Sequence, residues 1–92
     1  MDNDQDSNRR FIYFYFNRNE PERIGQVVPA HVQYWKTLDL KEYEGGPFAD
    51  RSGGLISFTA SSLEKATEVI LQDPFILRDL IAEKWIKEWI GE

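Results

Sequence analysis

The sequence predicts an α+β domain in which two helices cover one face of a four-stranded antiparallel sheet, in the order strand, helix, strand, strand, helix, strand. Three local patterns predict it. Residues 11–16 read Phe-Ile-Tyr-Phe-Tyr-Phe, a run of aromatic and β-branched side chains that is typical of a strand. Residues 55–60 alternate between two faces, as in a second strand. Between them, one helical face is indicated by the spacing of His31, Tyr34, Trp35 and Leu38.

The first half of the chain predicts a loop, a helix and a short strand after the first strand. Residues 17–25 are polar and contain Pro21, which favours a loop. Pro29 suits the first turn of a helix, so the first helix is expected to begin there. Residues 42–48 contain few strand-forming side chains and include Gly45-Gly46-Pro47, which predicts a short, irregular edge strand.

The second half predicts a helix, a turn and a last strand. Ser61 and Glu64 have the spacing of a capping box, so the second helix is expected to run from there to about Gln72. Asp73 and Pro74 are placed as the N-cap and first residue of a short turn. The spacing of apolar residues in 80–90 slightly favours helix, but the order of the elements favours a strand. The whole order is the ferredoxin-like, or split βαβ, pattern.

Length and composition exclude several classes of protein. Ninety-two residues suit one domain, expected over 9–92, after an acidic tail over 1–8 that is expected to be disordered. The absence of cysteine excludes a thiol nucleophile and a cysteine zinc site, and a single histidine leaves no metal site expected. Scattered basic residues argue against nucleic acid, and no apolar run is long enough for a membrane span. A cytoplasmic protein without a cofactor is expected.

The first strand predicts a homodimer. Ile12, Phe14 and Phe16 lie on one of its faces, and aromatic side chains also fill the other face. An antiparallel sheet covered by helices on one side normally has a polar second face. An exposed aromatic face is rare in a monomer, and a second copy related by a two-fold axis would cover it. The alternative is that one of the chain termini folds over this face.

Five short motifs, in register along the predicted elements, resemble the YciI-like (YCII-related) family. They are Pro29-Ala30-His31, Gly46-Pro47-Phe48-Ala49-Asp50, Gly53-Gly54, Asp73-Pro74-Phe75 and Lys87-Glu88-Trp89. The resemblance implies a dimeric α/β barrel, in which two ferredoxin-like units press their open sheet faces together, and it supports a strand over 80–90. It also implies a His–Asp active-site pair at His31 and Asp50. Some members of this family are associated with removal of a halide from a ring.

The sequence departs from the family pattern at one place. Arg78-Asp79-Leu80 stands where many members have a glycine after the Asp-Pro-Phe turn. The shape of the pocket wall at that point is therefore not transferred from the family, and neither is a substrate.

The predicted topology brings the family's two site positions to one end of the sheet. The start of the first helix with His31, the turn with Asp50 and the Asp73-Pro74-Phe75 corner all converge there. In contact, Asp50 would fix the imidazole tautomer and leave the second nitrogen free for proton transfer. Simpler interpretations stay open. His31 could be a core or cap residue, Asp50 an Asx-turn residue, and Asp73 an N-cap.

Tyr15, Ser57 and Phe75 are the candidate ligand-binding residues. Ser57 is expected on the sheet face of Tyr15, where it either lines a pocket or packs in the dimer interface. Two functions follow. The first is a small enzyme that uses a His–Asp dyad for general acid–base chemistry on a small cyclic or aromatic ligand. The second is a non-catalytic module for ligand binding or dimeric interaction.

Overall fold

The computed structural model describes residues 9–91, and these form the predicted α+β fold. The tail expected to be disordered, residues 1–8, lies outside the described residues. All four strands pair antiparallel, in the order β2-β3-β1-β4. No helix within 9–91 is both long enough and apolar enough to cross a membrane. The elements are β1 (Arg9–Asn17), α1 (Pro21–Thr37), β2 (Glu44–Pro47), β3 (Gly53–Ala60), α2 (Leu63–Leu71), α3 (Pro74–Leu77) and β4 (Ile81–Glu88).

Strand β1 lies in the centre of the sheet, and its side chains alternate between two different environments. Phe11, Tyr13 and Tyr15 face the helices and are buried. Ile12, Phe14 and Phe16 are only partly buried on the opposite face. The helix-side set forms the core together with Trp35, Ile56, Phe58, Ala66, Ile70, Phe75 and Leu80. The predicted division of this strand into two apolar faces is thus confirmed.

Helix α1 begins at Pro21, so the expectation that it begins at Pro29 was wrong. Pro21 occupies the first turn, where the missing N–H has no helical partner to lose. Pro29 lies inside the helix and cannot donate to the carbonyl of Gly25, four residues earlier. The additional turns are retained because Ile24 and Val27 pack against the core.

The N-cap of α2 is Ser62, one residue later than predicted. Its side chain accepts a hydrogen bond from the backbone N–H of Lys65 at 3.1 Å. The predicted capping box of Ser61 and Glu64 is therefore not formed. The helix register is fixed by burial, because it directs Ala66 and Ile70 into the core.

The chain leaves α3 through a Schellman motif that leads directly into β4. The N–H of Leu80 donates to the carbonyl of Phe75 at 2.9 Å, and the N–H of Asp79 donates to that of Ile76 at 3.0 Å. Asp79 has a φ of 58°, in the left-handed region where glycine is usual. Asp79 therefore adopts here the backbone conformation that a glycine would adopt most easily.

Strand β4 confirms the predicted strand over the ambiguous last segment. It pairs along β1 from Phe11 opposite Glu88 to Asn17 opposite Ile81, with one irregularity near Phe16. The hydrogen bonds to β1 pair the backbone N–H and C=O groups of this segment, which a helix would instead pair within itself.

Candidate active site

His31 is hydrogen-bonded to a completely buried carboxylate at the start of α3. Its Nδ1 lies 2.9 Å from Oδ1 of Asp73. The same carboxylate accepts a hydrogen bond from Nε1 of Trp35 at 2.8 Å and one from the backbone N–H of Phe75 at 2.7 Å. Three nitrogens therefore surround the carboxylate, which accounts for its burial without an arginine or lysine partner.

This arrangement defines what the imidazole of His31 can do. A carboxylate only accepts hydrogen bonds, so Nδ1 carries the proton and Nε2 is left with a lone pair in the neutral ring. Nε2 has no hydrogen-bond partner within residues 9–91, and His31 lines a cavity. The site therefore holds an imidazole of fixed orientation, with a basic nitrogen not used by the described residues, in the wall of a cavity.

Three local features of the sequence hold this pair in place. His31 and Trp35 are four residues apart in α1, so they lie on the same helical face. Asp73 is the N-cap of α3, and Pro74 follows it at the first helical position. The cap role of Asp73 was predicted, but its contact with His31 was not. The available signal was the pair of N–H side chains on α1 that face the Asp-Pro corner.

Aromatic rings enclose the imidazole. The ring of His31 stacks on Phe75, with centroids 4.1 Å apart and planes 12° from parallel, and Tyr15 meets it edge-on at 6.1 Å. Burial, reinforced by the Asp73 carboxylate, raises the pKa of the Tyr15 hydroxyl well above its usual value. Tyr15 therefore remains protonated and can donate a hydrogen bond.

The cavity beside His31 lies on the helix side of the sheet, between α1 and the β2–β3 hairpin. It has a volume of about 330 Å³. Gly45 faces the same side as Ile56, and a side-chain carbon at Gly45 would lie 2.9 Å from Cγ1 of Ile56. A glycine at this position therefore avoids a clash with Ile56 in the wall of the cavity. The lining comprises Tyr15, Asn17, Ile24, Val28, His31, Val32, Lys36, Tyr43, Gly45, Gly46, Pro47, Arg51, Gly53, Ile56 and Phe75.

Asp50 does not form the expected pair with His31 in the described part of the chain. Its carboxylate accepts hydrogen bonds from the backbone N–H of Ser52 at 3.0 Å and from the hydroxyl of Ser52 at 2.7 Å. These bonds lower the pKa of the Asp50 carboxyl. This is the Asx-turn geometry of the alternative interpretation. The position beside the imidazole is taken by Asp73, because only Asp73 is directed into the core by a helix cap.

Ser57 lies on the opposite sheet face from Tyr15, contrary to expectation. It pairs with Ile12, whereas its neighbour Ile56 pairs with Tyr13. Directly paired residues share a face, so Ser57 lies on the open sheet face, which is the face of Ile12, Phe14 and Phe16. Its hydroxyl accepts a hydrogen bond from Arg10 at 3.0 Å. The other two candidate ligand-binding residues, Tyr15 and Phe75, both line the cavity.

Comparison with known proteins supports the fold. The chain is similar to the solved structure of 5-chloro-2-hydroxyhydroquinone dehydrochlorinase (TftG) from Burkholderia phenoliruptrix AC1100, in complex with 2,5-dihydroxybenzoquinone. The TM-score is 0.78 at 20% sequence identity, covering 90% of this chain and 95% of that chain. No family model matches the sequence, and no curated protein matches it. The similarity establishes the ferredoxin-like α+β class that the sheet order also defines.

Proposed function

We propose that this chain is a YciI-like enzyme that uses His31 as a general acid–base group on a small cyclic or aromatic ligand. The observation that carries the proposal is the hydrogen bond from Nδ1 of His31 to the buried carboxylate of Asp73, in a residue that lines the cavity and whose Nε2 has no partner within residues 9–91. This arrangement orients the ring and stabilises the imidazolium that forms when Nε2 takes a proton.

The cavity suits a ligand of that size and shape. A cavity of about 150 Å³ is enough for benzene, so 330 Å³ holds a ring with several substituents. The flat walls provided by Phe75 and Tyr15 favour a planar ligand, and the protonated Tyr15 hydroxyl is a donor for a ring oxygen. The dehydrochlorinase with the similar fold was solved with a substituted quinone, which supports the same choice of ligand.

In the proposed step, Nε2 of His31 takes a proton from an acidic O–H or activated C–H of the bound ring. The resulting imidazolium is stabilised by its hydrogen bond to the carboxylate of Asp73. The proton is then returned to another atom of the ligand or to a leaving group. Asp50 was predicted as the partner in this step, but the contacts of His31 support Asp73 in that role.

Three amide substitutions test the proposal against a panel of hydroxylated and halogenated hydroquinones, beginning with 5-chloro-2-hydroxyhydroquinone. We expect His31→Asn to lower the kcat for any converted compound by roughly 10²–10⁴-fold, because the base is lost. Asp73→Asn should have a similar effect in its folded fraction, because it disturbs the tautomer. Asp50→Asn is the matched control and should leave kcat nearly unchanged. Product formation is measured by liquid chromatography, and circular dichroism of each variant checks that it is folded.

Two results would count against this proposal. If His31→Asn converts a compound as fast as the parent, His31 is not the base. If the panel binds but nothing is converted, the non-catalytic ligand-binding module becomes the better interpretation.

We also propose that the open sheet face is covered by a second copy of the chain. Phe14 stacks on Trp85 at 5.2 Å, and Phe16 packs against both Trp85 and Phe48, so a continuous aromatic layer covers this face. Trp85 is nevertheless 39% exposed. A face of this kind normally meets another protein surface, and a two-fold axis matches it to itself.

Analytical ultracentrifugation at micromolar concentration should therefore detect a dimer. Trp85→Lys should shift the protein to monomer, because the charge would be buried in the interface. Leu71→Lys is the matched control, since Leu71 is 41% exposed but lies on α2, away from the open face. A 10.8 kDa monomer for the parent protein would refute the dimer.

A further inference from the structure

Two cationic side chains line the cavity that contains His31, and neither has an acidic partner within residues 9–91. They are Lys36, near the end of α1, and Arg51, in the turn between β2 and β3. Neither side chain forms an ion pair or hydrogen bond with another described residue. Both residues are exposed, which places them at the rim of the cavity.

The charge of the lining contrasts with that of the chain. The sequence has 16 acidic and 11 basic residues, yet no Asp or Glu is among the lining residues. The nearby carboxylate of Asp73 is fully buried behind His31 and is already surrounded by three donors. The rim of the cavity therefore carries two cations, while its interior is aromatic and contains His31.

From this distribution we infer that the ligand of the proposed site is a planar cyclic carboxylate, with its ring against Phe75 and its carboxylate at the rim with Lys36 and Arg51. This inference rests on the proposed function for the location of the ligand. A guanidinium group binds both oxygens of a carboxylate, and an ammonium group contributes a compact positive charge. The same cations would confer little advantage on a neutral ring.

The backbone at Arg51 also supports a role for its side chain. Arg51 has a φ of 64°, a conformation in which glycine or asparagine is more usual. Its N–H closes the turn by donating to the carbonyl of Phe48 at 2.9 Å. An arginine at this position contributes nothing to the turn that a glycine would not contribute with less strain. The side chain of Arg51 lies at the rim of the cavity.

The test compares 3-hydroxybenzoate with 3-hydroxybenzamide, two probes of nearly the same shape that differ in charge. Each is titrated into the full-length ¹⁵N-labelled protein, and dissociation constants are taken from the amide shifts of His31 and Phe75. We expect the carboxylate to bind about tenfold more tightly than the amide, as for a charge-assisted contact near the surface. Raising the salt concentration from about 0.05 M to about 0.5 M should reduce this preference.

A double substitution assigns the preference to the two cations. In Lys36→Gln/Arg51→Gln the two probes should bind about equally. The control Arg78→Gln/Lys84→Gln removes one arginine and one lysine outside the cavity lining, and it should keep the preference. Equal binding of both probes to the parent, failure of both to bind, or an unchanged preference in the Lys36/Arg51 variant would each overturn the inference.

The same titration separates this inference from the proposed catalysis. His31→Asn should still prefer the carboxylate probe, because the cations are untouched. A preference that depends on Lys36 and Arg51, in a protein that converts no ring compound, would leave the carboxylate site standing and remove only the acid–base proposal.

Discussion

Replacing Asp73 by alanine should destabilise the protein by roughly 3–5 kcal/mol, the cost of removing one member of a buried charged network. Asp73 is fully buried and accepts hydrogen bonds from His31, Trp35 and Phe75. Its removal leaves the indole N–H of Trp35 and the backbone N–H of Phe75 unpaired in the core, and it also removes the N-cap of α3.

Urea unfolding followed by tryptophan fluorescence measures this loss, because Trp35 lies beside the substitution. Asp50→Ala is the control, since Asp50 also caps a turn by hydrogen bonding but lies at the surface. Its unfolding midpoint should remain close to that of the parent. If both alanine variants unfolded at the same urea concentration, the buried network would not contribute as the geometry indicates.

Much of the fold could be predicted from the sequence because the signals are local. The aromatic run of β1, the alternation of β3 and the Asp73-Pro74 cap each identify an element without reference to the rest of the chain. The start of α1 was missed because two prolines compete for the same first-turn position. Only tertiary packing of the turns before Pro29 decides between them, and that packing is not visible in the spacing.

The candidate site was predicted only in part, again because tertiary packing decides between local patterns that are alike. The convergence of His31 with the Asp73-Pro74-Phe75 corner follows from topology, and the structure confirms it. Sequence patterns do not decide whether Asp50 or Asp73 is the partner of His31. Both residues have the same local signature of a short acidic side chain that caps a turn. Which carboxylate is buried depends on whether donors from another element surround it, and that depends on the position of α1 against α3.

The position of Ser57 shows a further limit of sequence patterns. Alternation along β3 correctly separates Ser57 from Ile56, but it does not say which of them shares a face with Tyr15. That depends on the register between two strands that are distant in sequence, and a shift of one residue exchanges the faces. The observed pairing of Ser57 with Ile12 places Ser57 on the sheet face opposite Tyr15.

The tight packing of Gly53 against the backbone of β1 leads to a second large expected effect. A side-chain carbon at Gly53 would lie 1.8 Å from the carbonyl oxygen of Tyr15 and 2.8 Å from the Cα of Phe16. Both are backbone atoms of the central strand, so neither can move without disturbing the sheet. Gly53→Ala should therefore destabilise the protein by about 3 kcal/mol, at the upper end for an overpacked core.

Gly46→Ala is the matched control for this prediction. Gly46 is also a strand glycine that lines the cavity, but nothing lies within 4 Å of the position of an added side-chain carbon. Its alanine variant should unfold within about 0.5 kcal/mol of the parent, since it only reduces the freedom of the unfolded chain. Urea unfolding of both variants provides the comparison.

Because the same clash would displace Tyr15 from the ring of His31, Gly53→Ala should also weaken the binding of ring compounds in its folded fraction, whereas Gly46→Ala should not. Equal stability of the two variants would show that the strands separate more easily at Gly53 than their packing indicates.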